Sequence, residues 1–125
     1  MITRLQVLVA VVALVAAASS LSAHHSWPVD FSHEITVKGT VTDYNWANPH
    51  VMFGLNVQDA NGKVQKWNVG GPATNRMAAN GWDKTTLKPG DVITATGYRF
   101  TDGQPILRLN KVLMPTGKEM FLYGR

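Results

Sequence analysis

The stretch Ile35-Thr36-Val37-Lys38-Gly39-Thr40-Val41-Thr42 decides the fold. Ile35, Val37 and Val41 fall on one side of a period-two pattern, with Thr36, Lys38, Thr40 and Thr42 on the other. That alternation predicts a strand with one buried face. Gly39 interrupts the inward set and predicts a bulge or a sharp coil at that point. A first strand curved so tightly is what a small barrel requires.

Downstream, the turn residues Asn48-Pro49 precede Val51, Phe53, Leu55 and Val57, which alternate with His50, Met52, Gly54 and Asn56 as a second strand. Asn61-Gly62 is a strong hairpin signal and leads into a third strand from Lys63 to about Val69. Gly70-Gly71-Pro72 then opens a short helix from Ala73 to Ala79, stopped by Asn80-Gly81. Leu87-Lys88-Pro89-Gly90-Asp91 turns the chain into a fourth strand, Val92 to Tyr98. Asp102-Gly103 turns it into a fifth, Pro105 to Met114, and Lys118 to Tyr123 can add a short edge strand. The order predicts a mainly all-β fold, a small OB-fold-like five-stranded barrel with one short helix between strands 3 and 4. The competing arrangement is another small β-sandwich or barrel with the helix as a plug.

Upstream, Arg4 is the only charged residue before an apolar run from Val7 to Val15, followed by mostly small residues through Ala23. A positive start, an apolar middle and a small-residue end predict a cleaved signal peptide over 1–23. The apolar run is short of the about 20 residues that span a bilayer, so an uncleaved anchor is the weaker alternative. Residues 24–34 read as an N-terminal arm and 35–125 as a single barrel domain. The mature protein is therefore expected in the periplasm or secreted, with no stable membrane insertion. Cleavage after Ala23 makes His24 the first residue, and cleavage after Ser22 makes it Ala23.

The sequence has no cysteine. Disulfide staples, a lipoprotein anchor and thiolate metal sites are all excluded, which leaves imidazole, amine and carboxylate as metal ligands. The formal charge of +4 falls to +3 once Arg4 is removed, and the basic residues form no run or stripe. No nucleic-acid partner is expected from so dispersed a charge.

The histidines carry the most chemistry. His24 and His25 stand at the expected new terminus, where an amine beside an imidazole favours Cu(II), an ion that prefers square-planar nitrogen and oxygen donors. With Ala23 first, the amine, two amides and His25 close a square plane. With His24 first, its amine and ring chelate one copper, and a distant histidine completes the set. His50 is the expected distant ligand, because it follows the rigid Asn48-Pro49 turn. His33 and Asp30 are weaker candidates on the arm. The plain alternative is a solvated His-His terminus with His50 bonded to its own turn.

Of four tryptophans, Trp46 and Trp67 read as core, whereas Trp27 and Trp82 stand near loops and can line a groove. No Gly-x-Ser-x-Gly elbow, thiol nucleophile, phosphate-cradling loop or paired catalytic carboxylates are found. An enzyme is not expected, a copper oxygenase being the remote exception.

Several of these features together resemble a bacterial family of small secreted proteins of unknown function. They are His24-His25-Ser26, the strand Gly39-Thr40-Val41, Trp46-x-Asn48-Pro49-His50, Trp67, Gly81-Trp82, and Leu87-Lys88-Pro89-Gly90-Asp91. Members tend to carry Phe-Asp in the arm, where this chain reads Asp30-Phe31. The resemblance implies export and draws attention to His24, His25 and His50 without assigning them a task. The expected function is an exported copper-binding protein, a carrier or an accessory to another exported protein. The alternative is a metal-free OB-fold module that binds a small ligand or protein partner through an aromatic face.

Overall fold

The computed structural model describes residues 27–123. The expected signal segment 1–23, and with it His24 and His25, lies outside the described residues. Among these, the chain runs through β1 (Val29–Asn45), β2 (Met52–Gln58), β3 (Val64–Gly70), α1 (Thr74–Ala78), β4 (Val92–Phe100), β5 (Ile106–Leu113) and β6 (Glu119–Phe121). No described helix is long and apolar enough to cross a membrane.

The strands hydrogen-bond in the order β3-β2-β1-β4-β5-β6, and a parallel seam between β3 and β5 closes the ring. Asn68 faces Ile106 and Gly70 faces Arg108 along that seam. The sixth strand is the short edge strand foreseen after the five of the barrel, and it pairs with β5.

Strand β1 joins both halves of the barrel. It pairs with β4 up to Thr40↔Val92 and with β2 from Thr40↔Asn56 onward, so Thr40 faces a partner on each side. Gly39 lies at this coil and is buried. A Cβ there would lie 2.5 Å from the Asn56 carbonyl oxygen, a separation no side chain tolerates. The glycine thus marks the sharp coil, while the register break follows it, between Val41 and Asp43.

The arm differs from its expected extent, since β1 begins at Val29 rather than Ile35. Val29 pairs with Phe100, and Thr101 N–H donates to the Pro28 carbonyl at 2.8 Å. Phe31, Ser32, His33 and Glu34 are all exposed, and the pairing slips between Val29 and Glu34. A strand without a buried face leaves no period-two signal, which is why the pattern at Ile35 looked like its start.

Phe53, Leu55, Val69, Ile93, Leu107 and Leu109 fill the barrel. Each such side chain contributes about 1.5–3 kcal/mol through burial. Helix α1 brings Met77 over one end, and Trp82 follows it into the core. Trp82 Nε1 donates to the Phe121 carbonyl at 2.9 Å and Asn80 Nδ2 to the Leu122 carbonyl at 2.7 Å, tying the tail beneath the helix.

Candidate metal and ligand groove

The Asn48-Pro49-His50 turn joins β1 to β2 and grips the segment after β3. The Asn48-Pro49 peptide is cis. Asn48 Oδ1 accepts from Thr74 N–H at 2.9 Å and from Thr74 Oγ1 at 3.0 Å, supplying from a distance the cap that Ala73 cannot give to α1. Backbone bonds from Val51 N–H to the Pro72 carbonyl and from Gly71 N–H to the Val51 carbonyl lock the two segments together.

His50 Nδ1 lies 3.1 Å from the Gly71 carbonyl oxygen. A carbonyl only accepts, so Nδ1 carries a proton and donates it. In the neutral ring, Nε2 then holds the lone pair. This is the arrangement in which a protein carbonyl fixes the tautomer of a ligating histidine. His50 thus bonds Gly71, 21 residues on, rather than its own turn as the plain alternative had it, and this bond leaves Nε2 out.

Trp27 covers this imidazole, with ring centroids 4.4 Å apart and planes tilted by 45°. Phe100 supports the indole from β4 at 5.7 Å. Gly70 makes the seat possible: a Cβ there would lie 2.5 Å from Trp27 Cη2 and 2.9 Å from Met52 Sδ. The described end of the arm is therefore laid against the barrel beside His50.

His33 and Asp30 do not join His50. The His33 ring faces Asp30 at 3.7 Å and Ser32 Oγ at 2.8 Å, and neither residue lines the groove. Asp30 accepts from both the hydroxyl and the backbone N–H of Ser32, which hold its carboxyl below the usual carboxylate range, the hydroxyl foremost. Among the described residues no three His, Asp or Glu side chains gather as a metal site.

A groove of about 220 Å³ opens next to Trp27 and His50 and is lined further by Val29, Phe31, Arg108, Leu109 and Tyr123. Phe31 is 60% exposed, and the Arg108 guanidinium lies over its ring at 5.1 Å. Arg108 Nη2 also donates to Tyr123 Oη at 2.9 Å. Sequence reading missed Phe31, Arg108 and Tyr123, which come from three strands or loops far apart in the chain. It also misplaced Trp82, which is 2% exposed and belongs to the core rather than to a groove. Trp67 is core as expected, and Trp46 packs partly buried against it.

A curved first strand shared by two sheet halves, a parallel β3–β5 seam and a helix between β3 and β4 define an OB-fold protein. The single-stranded DNA binding protein Rim1 of S. cerevisiae mitochondria shares the fold, with a TM-score of 0.52 at 10% identity over 69% of this chain and 95% of that one. A structure of TiaS with tRNA(Ile2) and ATP matches with a TM-score of 0.49 at 16% identity, over 74% of this chain and 20% of that one, so the chain spans a fifth of TiaS. At 10% identity the likeness to Rim1 shows the fold alone. Among curated proteins no sequence matches. The chain belongs to DUF6152, a family of unknown function, whose profile matches residues 10–106.

Proposed function

We propose that this chain is an exported copper-binding protein, a carrier or an accessory to another exported protein. The observation that carries the reading is His50, with Nδ1 committed to Gly71, Nε2 left as the ligating atom, and Trp27 seated against the ring. His25 and His24 precede Trp27 by two and three residues. An extended chain spans at most roughly 3.6 Å per residue, which keeps both within about 11 Å of the Trp27 backbone. An amine, its neighbouring imidazole and a third imidazole make a nitrogen donor set suited to Cu(II). The proposal names no nucleic-acid partner, because the basic residues form no run in the sequence.

Intact mass spectrometry of the protein exported by its native host, with and without one equivalent of Cu(II), tests the reading. A terminus at Ala23 or His24 with one retained copper is expected. A terminus elsewhere, or no more copper retained than by a variant lacking His24 and His25, would overturn it.

A second reading, a module that binds a small ligand through an aromatic surface, is favoured by the groove of Trp27, Phe31 and Tyr123.

A further inference from the structure

Arg108 is the cation of the groove, and its surroundings specify a ligand. Its guanidinium lies 5.1 Å from the Phe31 ring centre and 5.9 Å from that of Tyr123. One N–H is committed to Tyr123 Oη. Among the described residues no carboxylate pairs with it. The nearest acid by register is Glu34, which faces Tyr98 as Tyr98 faces Arg108, and its Oε2 accepts from Asn110 Nδ2 at 2.8 Å. No Asp or Glu lines the groove. A guanidinium beside two rings and bonded to the hydroxyl of one keeps further N–H groups free in its planar fork, the geometry that matches a carboxylate with two bonds.

The rest of the lining is mainly apolar, with Trp27, Val29, Phe31 and Leu109, and its polar side chains are His50 and Tyr123. The groove, at about 220 Å³, is smaller than the about 300–1,000 Å³ pockets that hold drug-sized ligands. That size suits a single ring. We infer that the Arg108 end of the groove is a binding site for a small organic carboxylate with a flat apolar body, an aromatic carboxylate being the simplest. The carboxylate meets the Arg108 fork and the body lies along Phe31 towards Trp27. The inference rests on the second reading above, that the groove is a ligand site; His50 and Trp27 belong both to this groove and to the proposed copper site, so its test is run without metal.

Titration calorimetry of the metal-free mature protein, kept in a chelator, with benzoate, benzamide and acetate tests it. Benzoate supplies both charge and ring, benzamide the ring alone, and acetate the charge alone. Saturable binding of benzoate is expected, at least about tenfold tighter than benzamide, because a hydrogen bond to a charged group is worth roughly that factor or more, and tighter than acetate, which has no ring to bury. Arg108→Gln should bring benzoate down to the benzamide level, and Phe31→Ala should weaken both ring compounds. Both residues are at least partly exposed, and Arg108→Lys, which keeps the charge but loses the fork, gives an intermediate affinity in a folded protein. Benzamide binding as tightly as benzoate, or Arg108→Gln binding benzoate as the parent does, would overturn the carboxylate inference and leave a ligand groove standing. No saturable binding of any of the three would overturn the groove reading with it.

Discussion

The indole of Trp27 rests on the imidazole of His50, 4.4 Å between ring centres, and so joins the end of the arm to the β1–β2 turn. Copper bound at His50 would sit within a few ångströms of one tryptophan among four. Cu(II) is therefore expected to quench tryptophan emission, with most of the quenching lost in Trp27→Phe. Equal quenching in parent and variant would place the metal away from His50.

Gly70 holds that pair in place without touching a metal. Its backbone is ordinary strand, so Gly70→Ala folds, but the new methyl displaces Trp27 and Met52. Copper affinity is expected to fall about tenfold, as with other residues that orient ligands, and the Trp27 emission maximum should shift to the red. An unchanged affinity with a shifted spectrum would show that the seat of Trp27 has no part in metal binding.

Trp82 offers the converse case. Its ring is buried and its N–H is bonded to the Phe121 carbonyl. Trp82→Phe should cost about 1–3 kcal/mol in a denaturant titration, from the lost bond and the space left behind. Benzoate and Cu(II) binding by the folded variant should not change. A variant of full stability but impaired binding would return Trp82 to the groove.

These cases show which kinds of information the chain displays locally. Strand β2 was legible through its period-two alternation, and β4 and β5 through the turn residues that precede them, Leu87-Lys88-Pro89-Gly90-Asp91 and Asp102-Gly103. The first six residues of β1 were not, since four exposed side chains in succession carry no such pattern. His50 was legible through its rigid turn, but its bond to Gly71 spans 21 residues and leaves no trace in spacing. The parallel β3–β5 seam, which brings Arg108 beside Gly70, is likewise a product of barrel closure. Trp82 was misread because Gly81-Trp82 looks like loop, and loops usually run on the surface. Here the indole finds an acceptor in the tail, which lets it stay inside.

Gly39 is expected to be the least replaceable residue of β1. A methyl at this position must push against the Asn56 backbone at the coil where β1 changes partners, and neither side can yield without opening the barrel. Gly39→Ala should destabilise by about 1–3 kcal/mol, the usual cost of overpacking. Full stability of that variant in urea would mean that the coil tolerates a wider separation of β1 and β2.

Tyr44 links stability to alkaline pH. Its hydroxyl donates to the Asp83 carbonyl at 2.7 Å, and its pKa is raised above the ordinary 10.0, by burial first and by the Asp83 charge second. The unfolded chain therefore releases this proton at lower pH than the folded protein does. The stabilisation is fully present below pH 10.0 and is lost as pH rises from there towards the higher folded value. Tyr44→Phe should cost about 1 kcal/mol at neutral pH through the missing hydrogen bond. Above pH 10 the gap between parent and variant should shrink, since the variant has no proton to hold there. Urea titrations at neutral pH and at two points above pH 10 decide the matter: a constant gap would assign the alkaline loss of stability to other groups.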